Sequence, residues 1–146
     1  MNKAEILNII KEKITEKIRS LEYLISETRA SNNDTKSSMG DKYETGREML
    51  QQEINNLQRQ LNEVLSQQAA VQKLNAEPSA QVQSGALVKT DKGLFYVAVS
   101  VGEIILNGYK MITVSPESPL VKAMFGKKLA DTFTINNNRQ VIENIW

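Results

Sequence analysis

Cysteine and histidine are both absent from this chain of 146 residues. Without cysteine there is no thiolate nucleophile, no disulfide, no zinc ribbon and no iron–sulfur site. Without histidine, the commonest general base and metal ligand is missing as well. Enzyme classes that depend on a thiol nucleophile or a Ser–His pair are therefore excluded, and only carboxylates, lysines and hydroxyls are left for chemistry.

The chain also lacks an excess of charge of either sign. Residues 1–75 carry 11 basic and 11 acidic side chains, and residues 76–146 carry 7 and 6. Broad, sequence-independent binding of nucleic acid needs a basic surface, so we do not expect it. No apolar run is long enough to span a bilayer, and the N-terminus lacks a signal-peptide pattern. These features predict a cytoplasmic protein without a membrane partner.

What the first half of the chain does contain is two heptad patterns, over residues 2–31 and 40–74. A spacing of about 3.5 residues gives a narrow apolar seam, which a helix buries only against a partner helix. The loop between the patterns, residues 32–39, is short and polar, so the nearest partner is the other half of the same chain, folded back antiparallel. The seam positions are Leu7, Ile10, Ile14, Ile18, Leu21, Ile25 and Thr28, then Tyr43, Leu50, Ile54, Leu57, Leu61, Val64, Gln68 and Val71.

The polar run 31–38 predicts the end of the first helix. Ser38, with Asp41 three residues later, reads as the cap that opens the second helix. This places the tip of the hairpin at about 31–41, where Asp34 lies in the loop. Asp41, Glu44 and Glu48 then fall on one face of the second helix.

The pattern changes after a linker around Pro78, which cannot continue a helix. Residues 86–90 and 94–99 predict a β-hairpin, and residues 111–115 predict a third strand. Ser118 and Pro119 open a short helix that ends at Gly126. Residues 132–135 and 140–145 pair across an Asn-rich turn. The fold class is therefore α+β: an antiparallel two-helix coiled coil in 1–75, then a small antiparallel β domain with one short helix in 82–146.

Residues 112–128 read Ile-Thr-Val-Ser-Pro-Glu-Ser-Pro-Leu-Val-Lys-Ala-Met-Phe-Gly-Lys-Lys, and Asp131 precedes the final hairpin. This segment resembles the bacterial Gre transcript-cleavage and elongation factors. Glu27-Thr28-Arg29-Ala30 and Tyr43, with the Gln-rich helix after it, are similar as well. The resemblance implies a coiled-coil finger followed by an FKBP-like domain. It also implies that RNA polymerase is the partner, bound through Ser118, Pro119 and Leu120, with indirect contact to nascent RNA.

The tip departs from that family. Its cleavage-active members carry Asp-Leu-Ser-Glu-Asn-x-Glu-Tyr, whereas residues 36–43 here read Lys-Ser-Ser-Met-Gly-Asp-Lys-Tyr. Lys36 and Met39 thus replace two carboxylates. The remaining tip candidates are Asp41, Glu44 and Asp34, of which Asp41 and Glu44 are candidate ligands of a Mg²⁺ ion shared with the polymerase active site. Acidic residues at a helix N-terminus equally serve to stabilise the helix dipole.

We therefore expect a monomeric, Gre-like elongation regulator that inserts its coiled coil into the polymerase secondary channel. It is not an enzyme itself and is at most an accessory to transcript cleavage, a point that the altered tip leaves open. One alternative is a coiled-coil adaptor that oligomerises through its helices. Another is an FKBP-type prolyl isomerase, which needs a concave aromatic lining. The aromatic residues for such a lining are Phe95, Tyr96, Tyr109, Phe125, Phe133 and Trp146.

Overall fold

The computed structural model describes the backbone of residues 1–38 and 44–146, and the side chains of residues 1–32 and 46–146. By contact, this part of the chain forms two compact units: a hairpin unit, Ile14–Gln68, and a lobe unit, which combines Met1–Lys13 with Ala69–Trp146. Independent folding of the predicted domains 1–75 and 82–146 stays a prediction. In chain order the elements are α1 (Lys3–Ser38), α2 (Glu44–Gln72), β1 (Leu87–Thr90), β2 (Gly93–Val97), β3 (Glu103–Leu106), β4 (Tyr109–Val114), α3 (Pro119–Met124), β5 (Thr132–Ile135) and β6 (Asn138–Ile145). The predicted α+β class is confirmed.

Helix α1 begins where the sequence predicts but ends later. The Glu5 N–H donates to the Asn2 side-chain oxygen (3.2 Å), which caps the first turn. The predicted break over 31–38 is wrong, because α1 continues through these residues to Ser38. Asn, Asp, Ser and Thr each cost only about half a kcal/mol in a helix interior, and no Gly or Pro occurs before Gly40. Ser38 is therefore the last described residue of α1, the described part of α2 begins at Glu44, and the predicted cap partner Asp41 lies outside the described residues.

The predicted seam of the hairpin unit is buried on both helices. Because α1 and α2 are the only elements described in this unit, their apolar side chains cover one another, as in an antiparallel coiled coil. Leu50, Gln68 and Thr28 are half-buried at the edges of the seam, and Tyr43 lies outside the described residues. The buried seam residues of the unit are Ile14, Ile18, Leu21, Ile25, Ile54, Leu57, Leu61 and Val64.

The lobe unit is built on one six-stranded sheet in the order β3-β4-β2-β1-β6-β5. The predicted β1–β2 hairpin is confirmed, with Val88 opposite Phe95. The predicted β5–β6 pair is confirmed as well, with Thr132 opposite Val141. The sheet is mixed and not purely antiparallel, because β2 and β4 run parallel.

Strand β3 is the element that the sequence analysis does not predict. It pairs antiparallel with β4, with Ile104 opposite Met111. The connecting residues Asn107 and Gly108 have φ angles of 53° and 80°, which is the left-handed conformation of a two-residue hairpin turn. The Asn-Gly pair is the sequence signal for this hairpin. The lobe unit therefore contains six strands where about five were predicted.

The core of the lobe unit lies between one face of the sheet and α3. Val121 and Met124 of α3 are fully buried there. They belong to the same cluster as Val88 of β1, Phe95 of β2 and Ile142 of β6. Because side chains alternate along a strand, the neighbouring Lys89 and Leu94 belong to the opposite face of the sheet.

Lys3 joins three segments of the lobe unit. Only 5% of its surface is exposed, and its ammonium donates to the carbonyl oxygens of Glu77 (2.6 Å) and Trp146 (3.0 Å). Burial lowers the pKa of Lys3 below 10.5, and the negative charge of Glu77 partly opposes that shift. The ammonium of Lys3 therefore connects the start of α1 to the linker and to the residue that follows β6.

We expect Lys3→Met to lower the free energy of unfolding of the lobe unit by about 1–2 kcal/mol, because two carbonyl oxygens lose a charged donor. Urea unfolding, followed by the emission of Trp146, the one tryptophan of the chain, measures this change. Lys92→Met, at an exposed turn position, is the matched control. Because the Lys3 pKa is lowered, the native state binds fewer protons than the unfolded chain just below pH 10.5, so the contribution of Lys3 to stability rises with pH in that window. Equal midpoints for both variants would contradict the expectation.

Candidate functional site

The candidate docking surface lies in the lobe unit, at the turn between β4 and α3. The Ser118 N–H donates to the Ser115 carbonyl (3.0 Å), and the Ser115 hydroxyl donates to the Glu117 carboxylate (3.0 Å). Ser118 is extended, with φ −65° and ψ 148°, and its hydroxyl accepts from the Val121 N–H (3.3 Å). Pro119 then occupies the first helical turn, where its missing N–H costs nothing. These hydrogen bonds fix the backbone of the turn between β4 and α3 without a partner.

The three residues predicted to bind polymerase have different surroundings. The Ser118 hydroxyl is engaged as the helix cap. Leu120 is half-buried and packs against the lobe core. Pro119 is exposed. Of the predicted set, Pro119 is therefore the exposed side chain, whereas Ser118 caps the helix and Leu120 packs against the lobe core.

Exposure along α3 identifies further residues that belong to this surface. Pro119 and Lys122 are exposed, and Phe125, directly after the helix, has 56% of its surface exposed. Pro119 and Lys122 are three residues apart and so are neighbours on the surface of α3, and Phe125 follows the helix as its C-cap residue. Leu129, in the segment that follows, is 60% exposed. We call Pro119, Lys122, Phe125 and Leu129 the corner surface.

Phe125 and Leu129 were not predicted from the sequence to lie on the docking surface. Apolar residues near a helix end usually belong to the core, which is why they carry little signal. The informative feature is the spacing, because Val121 and Met124 already fill the buried side of this short helix. Phe125, one residue beyond Met124, therefore falls on another side.

The segment after α3 is tied back to the lobe unit by its backbone. Gly126 has a φ of +80°, and its N–H donates to the Val82 carbonyl (2.8 Å). The Val82 N–H in turn donates to the Lys127 carbonyl (2.8 Å). The Lys128 N–H donates to the Asp131 carboxylate (2.8 Å). Phe125 and Leu129 are thus exposed on a backbone that is held in place, which keeps the surface ready for a partner.

The tip candidates of the hairpin unit can be placed only in part. Asp34 lies on α1, and Glu44 is the first residue of α2. Asp41 lies outside the described residues, as do Met39 and Lys42, and the side chains of Asp34 and Glu44 are likewise outside the description. Among the side chains that the structure describes, no group of three acidic residues is placed to hold a metal ion. The Mg²⁺ ligands Asp41 and Glu44 therefore stay a prediction.

The six aromatic residues considered for an isomerase pocket do not come together. Phe95, Tyr96 and Phe133 are buried, and burial raises the pKa of the Tyr96 hydroxyl, which stays neutral. Phe125 is exposed at the end of α3, and only Tyr109 and Trp146 line a common cleft. Two residues of this set, Tyr109 and Trp146, thus line one cleft of the described lobe unit, and the buried Phe95, Tyr96 and Phe133 do not contribute to it.

Comparison with solved structures finds similarity over most of the chain. The transcription factor Gfh1 is 14% identical over 91% of this chain and 89% of its own, with a TM-score of 0.41. GreA factor homolog 1 of Thermus thermophilus is 14% identical over 93% and 94%, with a TM-score of 0.40. Gfh1 of Thermus aquaticus is 14% identical over 92% of both chains, with a TM-score of 0.37. No family model and no curated protein matches the chain.

The chain is thus similar to solved Gre-factor homologues. In the described residues, neither α1 nor α2 has an apolar stretch long enough to cross a membrane, and the short helix α3 has none either.

Proposed function

We propose that this protein is a Gre-like transcription regulator that binds RNA polymerase through the corner surface and reaches into its secondary channel with the helical hairpin. The observation that carries the proposal is the exposure of Pro119 and Phe125 on the segment whose sequence resembles the Gre family. Exposed aromatic side chains on a rigid backbone are typical anchors of protein interfaces. Lys122 between them adds a cation that suits an acidic partner surface.

The lengths of α1 and α2 support the proposed insertion of the hairpin into the secondary channel. Helix α1 has 36 residues and α2 has 29. At 1.5 Å per residue these are about 54 Å and 43 Å long, far longer than a helix that only covers a small sheet. The seam is buried and most of the outer positions are polar, with Tyr23, Leu24, Met49 and Leu65 as the exposed apolar exceptions, so most of the surface of the hairpin is solvated. Such a hairpin delivers residues near 39–43 to a distant site.

The proposal assigns the chain no complete active site of its own. Transcript cleavage, where it occurs, uses the catalytic centre of the polymerase, and the tip adds oxygen ligands to a Mg²⁺ ion that the polymerase holds. Asp41 and Glu44 are the proposed ligands, with Asp34 as the third tip carboxylate. Because Lys36 and Met39 stand where the family's cleavage-active members have carboxylates, we propose modulation of elongation as the main activity. Contact with nascent RNA is then indirect, through the tip.

The corner surface is tested by binding to core RNA polymerase. We expect Phe125→Ser to weaken binding about tenfold, since a buried aromatic anchor contributes roughly 1–2 kcal/mol or more to an interface. Ile105→Ser is the matched control, because Ile105 is 68% exposed on β3 of the same unit and lies outside the corner surface. Biolayer interferometry with immobilised polymerase measures both. Equal loss, or no loss, in the two variants would place the docking surface elsewhere.

The predicted corner residues give a second, weaker effect. Pro119→Gly is expected to reduce polymerase affinity about threefold, because it removes the exposed ring of Pro119 from the corner surface. Leu120→Arg should weaken binding further, since Leu120 packs against the lobe core. Thermal unfolding of each variant, followed by Trp146 emission, separates a docking effect from loss of the fold. An unaltered affinity in both variants would exclude this corner.

A further inference from the structure

A cleft of roughly 600 Å³ lies on the lobe unit and belongs neither to the corner surface nor to the tip. Leu94 and Leu106 contribute apolar surface, and Tyr109 and Trp146 contribute aromatic rings. Lys89, opposite Leu94 in the β1–β2 hairpin, is on the sheet face that faces away from α3. The volume falls in the range of small-molecule sites, about 300–1,000 Å³. The cleft therefore has the size and the mixed lining of a ligand site.

The charges around the cleft define the chemistry of its ligand. Lys110 is engaged with Glu103, at 3.0 Å between ammonium and carboxylate. The exposed Lys89 ammonium has no hydrogen bond or ion pair with the side chains described, those of residues 1–32 and 46–146. Glu143 also lines the cleft and opposes additional negative charge. Lys89, without an ion pair of its own, beside the Glu143 carboxylate favours a single negative charge over a phosphate dianion.

We propose that this cleft binds a small organic monoanion with an apolar body, of the aryl- or alkyl-carboxylate class. The carboxylate pairs with Lys89, and the apolar body covers Leu94 and Leu106 between the rings of Tyr109 and Trp146. The Asn144 amide, at the same cleft and opposite Lys89 in the β1–β6 pairing, is available as a second donor to the carboxylate. Binding of a ligand in this cleft does not depend on the proposed contact with polymerase, so the two proposals are tested separately.

The tryptophan of the cleft makes the test direct, because Trp146 is the one tryptophan of the chain. Titration of the full-length protein with phenylbutyrate should change the Trp146 emission, with a dissociation constant on the order of 1 mM, the range expected for a ligand of about a dozen heavy atoms. The uncharged phenylbutanamide and the cation phenylbutylammonium should bind more weakly. Absence of any change in emission up to the solubility limit of phenylbutyrate would overturn the proposal.

Two lysine variants separate the cleft from general charge effects. Lys89→Glu should weaken phenylbutyrate binding about fivefold, the range of one partly exposed ion pair, and should now favour phenylbutylammonium over the acid. Lys92→Glu makes the same charge change in the adjacent turn, outside the cleft, and should bind as the parent protein does. Tyr109→Ser should weaken the acid and the amide alike, because it removes ring contact and no charge. The same affinity in Lys89→Glu and Lys92→Glu would overturn the assignment of the carboxylate to Lys89.

Discussion

The variant Leu57→Asp is expected to unfold the hairpin unit and leave the lobe unit folded. Leu57 lies in the seam with 6% of its surface exposed. Removal of a buried leucine costs about 2–5 kcal/mol through lost apolar contact and a cavity. Burial of a carboxylate without a partner adds a further penalty, so the charge will reach water only if the helices separate. The narrow seam is the whole apolar core of the hairpin unit, so no second layer of apolar contacts compensates for this change. We therefore expect the helical structure of the hairpin unit to be lost cooperatively.

Two signals that belong to different units measure this effect. Far-UV circular dichroism reports the long helices, and Trp146 emission reports the lobe unit. We expect the helical signal to fall sharply while the Trp146 transition keeps its midpoint. Asn56→Asp is the matched control, because it introduces the same side chain at the exposed neighbouring position. A parallel loss of both signals would show that the two units unfold together.

The oligomeric state of the parent protein distinguishes a hairpin that closes on itself from an adaptor that pairs with a second chain. Ser38 and Glu44, the described ends of α1 and α2, are close together in the sequence, so the two helices of one chain are present at a high effective concentration for each other. Sedimentation of the parent protein should therefore give a monomer. A dimer that persists on dilution would support the adaptor alternative.

The hairpin was predictable because one physical requirement sets its pattern. A helix that buries only a narrow seam must repeat apolar residues every three or four positions, and Ile14, Ile18, Leu21 and Ile25 do so without exception. The end of α1 was not predictable in the same way. The polar residues before Ser38 carry only weak preferences, and weak preferences do not outweigh continuation of a helix that is already formed.

In the lobe unit, the turn residues predicted which consecutive strands form hairpins, but they did not predict the order and direction of the strands in the sheet. The β1–β2 and β5–β6 hairpins are local, so adjacent residues specify them. The parallel contact of β2 with β4 is not local, because β3 and its connections separate the two strands in the chain. Nothing in either strand alone indicates that direction.

The candidate site was likewise predictable in its local geometry and not in the features that depend on the whole fold. Ser118 and Pro119 were predicted from the helix-start pattern, and their capping geometry follows from residue chemistry alone. The exposure of Phe125 depends on which side of α3 the core occupies, and therefore on Val121 and Met124 together. A sequence read one residue at a time does not contain this information.

The largest functional effect that we expect comes from the tip. Installing the two carboxylates of the family's cleavage-active pattern, by Lys36→Asp together with Met39→Glu, should raise stimulation of transcript cleavage at least about tenfold over the parent protein. A single added transition-state contact in a polymerase active site is worth this much or more. The parent protein itself should stimulate cleavage weakly, because Lys36 and Lys42 disfavour a divalent cation near Asp41 and Glu44.

The assay is RNA cleavage in a backtracked elongation complex with Mg²⁺, at equal occupancy of polymerase by each variant. Asp41→Asn with Glu44→Gln should reduce the weak activity of the parent protein. Lys36→Gln with Met39→Gln is the matched control, because it removes the lysine charge without adding carboxylates and should stay near the parent level. Strong cleavage by the parent protein that survives the Asp41 and Glu44 changes would exclude these residues as the working groups. The chemistry would then lie with Asp34 or with the polymerase alone.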